Sequence, residues 1–357
     1  MIGGERRFRL RSSVEPVVAG DGTLYLSRAG DDDLVVRGAG VEDRALLTLL
    51  AQGEPTVAEL AAQLSLPAAV VTSKLDDLMT AAVATTAPSS PVLDPEDAAR
   101  YDRQLPYLGE FGDERELQRR LSSARVTVIG CGGLGTWALA ALAGAGVRRL
   151  TIVDHDTVEI SNLNRQVLYS PADVGVPKVQ AAAAWLRAFD ARAEVEPLTR
   201  MIDGPAAAEA VVAGADAVVL VADQPAYELA RWVNAASLRN RVPFISAGQL
   251  PPLLKVGPLH APGRTACFSC LEHALRATSA DYDAYAEHTR NAPARGATLG
   301  PASGIVGTML AMEIVHLLIG VTPASAGAAL LFDLRTLAMR REPVERDPAC
   351  RDCAHLG

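Results

Sequence analysis

The chain has 357 residues, of which 49% are hydrophobic, and a formal net charge of −8; it is long enough for two domains that each bury a core. The acidic balance excludes a global attraction to nucleic acid or anionic lipid. The N-terminal stretch MIGGERRFRLRSS carries charges and no apolar run, so no signal peptide is expected there.

Residues 1–83 begin with alternating apolar and polar positions in RFRLRSSVEPVV, GTLYLSR and DDLVVRG, with Gly and Asp at the joints, and read as short antiparallel strands. Helical patterning follows in EDRALLTLLAQG, TVAELAAQLS and LPAAVVTSKLDDLMTAA. Thr56 with Glu59 predicts a capping box, and Pro67 suits a first helical position. Three strands followed by three helices predict a small winged-helix domain, an arrangement often used on DNA. Charge argues against that use: residues 1–95 hold eight Lys or Arg against thirteen Asp or Glu, and Lys74 of the third helix stands beside Asp76 and Asp77. Residues 84–100, rich in Pro, Ser and Asp, read as a linker.

From Tyr101 the pattern becomes α/β. RVTVIG, RRLTIVD, AEVEPL, DAVVLVA and VPFISAG alternate with Ala-rich helical stretches, which predicts a Rossmann-like parallel sheet with helices on both faces over residues 101–357. The longest apolar run, MLAMEIVHLLIGV from Met309, is interrupted by Glu313 and His316 and is too short to span a bilayer. It reads as a buried helix, and a cytoplasmic location without membrane contact is the expectation.

The segment Val126–Asp156 carries a nucleotide-binding turn, with Gly130, Gly132, Gly133 and Gly135 between a strand and a helix. One glycine makes the turn, one admits phosphate to backbone amides, and one lets helix and sheet meet closely. Asp154, at the end of the second strand, stands where an acid meets ribose hydroxyls. The turn by itself favours a dinucleotide over ATP, by the usual reading of the fingerprint.

The next residues separate the two. DHDTVEISNLNRQVLYSPADVGVPKVQAA, together with RYDRQL before the first strand, GCGGLG, an aspartate after the fourth strand, GIVGTMLAMEIVHLL and two CxxC pairs, resembles the signature of the ThiF/MoeB superfamily of adenylating enzymes over residues 100–353. The resemblance implies an ATP-dependent adenylyltransferase. In it Asp154 and Asp156 belong to the nucleotide pocket, with Asp154 on the ribose, and Asn162, Arg165, Gln166 and Lys178 surround the phosphates. Asp223 holds Mg2+, and Arg103 of YDRQ acts in trans across a homodimer. Arg165, Lys178, Asp223 and Arg103 are the catalytic set. Only three of the 34 basic residues are lysine, and Lys178 is one of them, consistent with a compact ammonium required on phosphate. Gln224 departs from the family, which has Asn after the metal-binding aspartate.

Of five cysteines, Cys131 lies inside the glycine turn and reads as a packing residue. Cys267, Cys270, Cys350 and Cys353 form two CxxC pairs, which predict a closed tetrahedral Zn2+ site with the C-terminal tail folded back to complete it. His273 and His355 read as surface residues or neighbours of that site. Some members of the superfamily pass the acyl group to a cysteine in the crossover segment; here LEHALRATSADYDAYAEHTRNAPARGATLGPASG holds none, so no thioester is expected there.

The stretch LVVRGAGVEDRALLTLLAQGEPTVAELAAQL resembles the PqqD-like element of enzymes that modify ribosomally made peptides. That likeness implies capture of a leader peptide by strand addition to a sheet edge. The combination is similar to microcin-modifying and related peptide-processing enzymes. The function expected is adenylation of a carboxyl or terminal amide group on a precursor peptide. Two alternatives stand beside it: adenylation of a ubiquitin-like sulfur carrier, and a non-catalytic leader-binding partner of a cyclodehydratase.

Overall fold

The computed structural model describes residues 6–28, 32–291 and 297–356; the first five residues of the expected first domain and residues 292–296 of the crossover segment lie outside them. The chain divides into two compact units, Met1–Arg119 and Arg120–Gly357.

The first unit contains β1 (Phe8–Leu10), β2 (Val14–Val18), β3 (Leu24–Arg28) and β4 (Leu34–Val36), then α1 (Val41–Gln52), α2 (Val57–Leu64) and α3 (Ala68–Thr80). Strands β2, β3 and β4 form an antiparallel meander with Val14 opposite Arg28 and Leu24 opposite Val36. RFRLRSSVEPVV, expected as one strand, is broken between β1 and β2 by a turn in which Val14 N donates to Arg11 O at 3.1 Å. The helices form where apolar residues recur on one face. Leu46 and Leu50 of α1 and Val71 and Leu75 of α3 stand one turn apart and meet Leu60 of α2 in a shared core. Thr56 caps α2 with its hydroxyl accepting from Glu59 N at 3.1 Å, while the Glu59 carboxylate accepts from Thr56 N at 2.8 Å. Pro67 is the cap of α3 rather than its first helical residue.

The stretch expected as a linker is folded. β5 (Ala84–Thr86) pairs antiparallel with β1, Leu10 opposite Ala84, and α4 (Pro95–Arg100) starts at Asp94, whose carboxylate accepts from Asp97 N at 3.0 Å. The Pro, Ser and Asp that read as linker are also the residues that cap helices and occupy their first positions. Helices α5 (Leu105–Gly109) and α6 (Glu114–Ser123) follow, and the division between units falls within α6. Burial acts to raise the Asp113 carboxyl, yet the bonds donated by Ser90, Glu116 and Ser89 hold it at about 2.

The second unit is built on one eight-stranded sheet in the order β13-β12-β11-β10-β9-β6-β7-β8. In chain order its elements are β6 (Arg125–Ile129), α7 (Gly133–Gly144), β7 (Arg149–Asp154), α8 (Lys178–Phe189), β8 (Glu194–Thr199), α9 (Pro205–Val212), β9 (Ala217–Leu220), α10 (Glu228–Asn240), β10 (Phe244–Leu250), β11 (Leu253–His260), α11 (Phe268–Thr278), α12 (Tyr282–Asn291), α13 (Gly300–Ile319), β12 (Ala328–Asp333) and β13 (Ala338–Pro343). β8, β7, β6, β9 and β10 run parallel, with Val128 between Ile152 and Val219. These are the five strands read from the sequence.

β11, β12 and β13 extend the sheet antiparallel and were not legible. Lys255, Gly257 and Pro258 interrupt the apolar run of β11, and all six residues of β13 are exposed, so neither shows strand periodicity. The late apolar run belongs to α13, whose glycine-rich first half masks its full length of 20 residues. That helix is long and apolar enough to cross a membrane by length and composition. Its apolar side is instead mostly buried, with Val306, Leu310 and Ile314 at 0% exposure. A Cβ on Gly307 would stand 2.5 Å from the Trp137 Cβ, so α13 and α7 meet at backbone distance.

Candidate active site

The glycine turn joins β6 to α7, and each glycine has a separate reason. Gly130 has φ +104°, and a Cβ there would stand 2.6 Å from Ala222 N. Gly135 admits no side chain, because a Cβ would lie 1.9 Å from Gly130 O. A Cβ on Gly133 would stand 2.8 Å from Ser303 Oγ, whereas one on Gly132 would meet nothing within 4 Å among the described residues. Gly132 thus leaves open the approach to the N-terminus of α7, where free amides and the helix dipole favour an anion. The contrast is testable by thermal unfolding. Gly135→Ala should destabilise by about 3 kcal/mol or more, because the atoms that clash are backbone of Gly130 and cannot swing aside. Gly132→Ala should stay within about 0.5 kcal/mol.

Asp154 braces the turn from the end of β7. Its Oδ2 accepts from Cys131 N at 2.6 Å and its Oδ1 from Asp156 N at 2.9 Å. Cys131 is fully buried, and burial, reinforced by Asp154, pushes its thiol well up, so it packs and does not react. Tyr169 donates to Cys131 O at 2.8 Å and closes the turn from below.

Lys178 opens α8. Its side chain is 8% exposed, and Nζ lies 2.7 Å from Asp156 Oδ2. A buried ammonium at the positive end of a helix is disfavoured by both desolvation and the dipole, and the half-exposed Asp156 supplies a counter-charge. Asn162 is buried, with Oδ1 accepting from Glu159 N at 3.0 Å, which directs its amide NH2 elsewhere. Arg165 donates to Ser161 O at 2.8 Å and to Asn164 Oδ1 at 3.0 Å, and its Cδ flanks Gly133. Gln166 is buried, with Oε1 lacking a hydrogen-bond partner among the described residues.

Asp223 is exposed in the loop after β9. Val221 N and Ala222 N both donate to Ile129 O at 2.9 Å, which seats that loop against the glycine turn. Arg103 belongs to the first unit, where its side chain is fully exposed and 3.7 Å from Asp102. The second unit thus gathers the glycines, Asp154, Asp156, Asn162, Arg165, Lys178 and the Asp223 loop at the C-terminal ends of β6, β7 and β9, where open α/β sheets bind ligands. A cavity of about 670 Å³ lined by Arg125, Arg149 and Glu194 opens at the other ends of these strands and has no part in this arrangement.

The four cysteines of the CxxC pairs are buried together. Sγ separations are 3.8 Å for Cys267–Cys270, 3.7 Å for Cys267–Cys350 and 3.5 Å for Cys270–Cys353. A tetrahedral thiolate site with metal–sulfur bonds of about 2.3 Å has edges of about 3.8 Å, so the donor set fits zinc and is too open for disulfides. His273 is half exposed with Nδ1 3.0 Å from Asp347, outside the four sulfurs.

The model of the ThiF family matches residues 101–352. Molybdopterin-synthase adenylyltransferase of Salmonella typhimurium is 31% identical over 262 residues, which cover 73% of this chain and 98% of that protein. The chain belongs to the ThiF family.

As a ThiF-family chain with relatives named adenylyltransferases, it falls in that enzyme class. Adenylyltransferase and sulfurtransferase MOCS3 of Sus scrofa is 36% identical over 74% of this chain, which spans about half (55%) of that longer protein. Among solved structures, Escherichia coli MccB with ATP superposes with TM-score 0.78 at 23% identity, covering 97% of this chain and 99% of that one. The same enzyme in complex with N-formylated MccA matches at the same TM-score and 22% identity. A second model, a protein family of unknown function (DUF742), matches residues 6–105.

Sequence reasoning missed a polar group in this ThiF domain. Gln249 of β10 accepts from Thr298 Oγ1 at 2.8 Å and donates to Ser303 Oγ at 3.0 Å, beside Gly133. These residues come from β10, the end of the crossover and α13, and carry no spacing that would reveal them.

Proposed function

We propose that this enzyme adenylates a carboxyl or terminal amide group on a ribosomally synthesised precursor peptide. The observation that carries the reading is the extent of the likeness to MccB. It covers 97% of the chain and so takes in the small first unit, whereas about a quarter of the chain has no counterpart in the molybdopterin-synthase adenylyltransferase. A simple carrier activator has no need of that unit. We assign it to leader-peptide capture in PqqD-like fashion, by strand addition. β2 and β4 are the edges of its meander, and Val17, Val18 and Val35 are 44%, 50% and 48% exposed.

In this reading Asp154 accepts from the ribose hydroxyls, with Asp156 beside it. The amides after Gly132 meet phosphate, and Lys178, Asn162, Arg165 and Gln166 surround the rest of the chain of phosphates. Asp223 is the oxygen donor for Mg2+, whose exposed carboxylate suits a hard cation. Bound there, the ion would offset charge on the departing pyrophosphate. A substrate oxygen attacks the α-phosphorus, the bond to the pyrophosphate oxygen breaks, and a substrate adenylate and pyrophosphate result. The chain's contribution is positioning and fixed charge. Arg103 of a second copy would complete the cage, which makes the working enzyme a homodimer. Zinc at the four cysteines staples the tail and has no open position for chemistry.

A second reading is favoured by the names of the curated relatives: adenylation of a sulfur-carrier protein. ATP–pyrophosphate exchange separates the two. Exchange stimulated by a leader-bearing peptide supports the first, exchange stimulated only by a Gly-Gly carrier replaces it with the second, and none with either points to a leader-binding scaffold.

A further inference from the structure

Tyr227 holds a backbone conformation that side chains resist. Its φ is +65° and ψ −45°, and Glu228 N donates across it to Ala226 O at 2.8 Å. Ala226–Glu228 is therefore a γ-turn of the positive-φ kind, rare and strained for a residue with a Cβ. Glycine would sit there without that strain, so the tyrosine ring must be held by its surroundings.

The crossover helix α12 holds it. The Tyr282 ring meets the Tyr227 ring edge-on at 6.1 Å and 83°. The Arg290 guanidinium lies 5.9 Å from the Tyr227 centroid, with Nε 2.9 Å from the Glu228 carboxylate. Helix α12 is anchored in turn at Glu272 of α11, which is 5% exposed. Arg231 of α10 forks onto that carboxylate at 2.8 and 3.0 Å, and the Tyr282 hydroxyl donates to it at 3.0 Å. One buried carboxylate thus ties α10, α11 and α12 together around the ring of Tyr227.

The loop from Asp223 to Ala226 is stretched between two fixed points. At one end Val221 and Ala222 are bonded to Ile129 beside the glycine turn; at the other Tyr227 is clamped by α12. We infer that Tyr227 is a positioning residue for Asp223, and that seating of the crossover helix sets how that carboxylate is presented. The inference rests on the adenylation reading, in which Asp223 holds Mg2+. A merely structural tyrosine would stabilise the fold when present and destabilise it when removed. A strained positioning residue separates stability from rate.

The test compares Tyr227→Gly, Arg290→Ala and the conservative Tyr227→Phe in the full-length enzyme, by pyrophosphate exchange across a Mg2+ titration and by amide hydrogen exchange. Tyr227→Gly should lower kcat about tenfold and raise the half-saturating Mg2+ by a similar factor, with KM for ATP within about twofold. Its Tm should not fall, because glycine relieves the turn. Arg290→Ala should act in the same direction, and Tyr227→Phe, which keeps the ring and loses only the hydroxyl's bond with Thr289, should stay within about twofold of wild type. Amides of residues 223, 224 and 226–228 should exchange about tenfold faster in the first two variants. A wild-type enzyme that exchanges pyrophosphate, with variants unchanged in kcat and Mg2+ dependence, overturns the inference alone. A wild type that supports no exchange with any substrate overturns the adenylation reading and this inference with it.

Discussion

Replacing Lys178 with alanine should lower ATP–pyrophosphate exchange by about 10²–10³-fold, the usual cost of one fixed charge aimed at a developing anion. The lysine has a side chain only 8% exposed, at the positive end of α8, and an ion pair with a half-exposed Asp156. Solvent rehydrates such an aspartate once its partner is gone, and ion pairs of this kind contribute about 1 kcal/mol or less. Stability should therefore move little while rate collapses, and thermal unfolding run beside the exchange assay checks both halves. Lys178→Arg should rescue only partly, because a planar guanidinium does not fit where a compact ammonium is enclosed. Asp223→Ala should likewise abolish exchange, and both variants should keep leader-peptide affinity. Full exchange by Lys178→Ala would remove this residue from the phosphates.

Removing the metal should have the largest effect on stability. Elemental analysis should give one zinc per chain, and a strong chelator or Cys353→Ser should lower Tm by about 10 °C, a loss of a few kcal/mol for a domain of this size. Without metal, burial pushes the Cys267 thiol up, and the four sulfurs keep only weak contacts with one another. The other ties on the tail are modest. Arg346 donates to Gly263 O at 3.2 Å and Cys353 O at 3.0 Å, and Ser269 donates to Asp352 at 2.5 Å on the exposed surface. Thiolates bind metal in competition with protons, so the stabilisation should fade as the pH drops. A chain that contains no zinc, or whose Tm ignores the loss of Cys353, would refute the staple.

The sequence by itself determined the features whose causes lie within a few residues. The turn at Gly130 needs a positive φ, the α2 cap needs Thr56 and Glu59 three apart, and the five parallel strands declare themselves by apolar runs between helices. The CxxC pairs also announced a shared four-cysteine cluster fit for a metal across 83 positions, because thiolate chemistry permits few other uses. Tertiary structure decided the rest. It buried Lys178 against Asp156, set Ser303 over Gly133, paired residues 84–86 with β1 and made a γ-turn of Tyr227. The extra strands β11 and β13 pair through backbone and show no periodicity of their own. Local conformation follows from neighbouring side chains, but the approach of two distant segments depends on how whole elements pack, and no spacing along the chain encodes that distance.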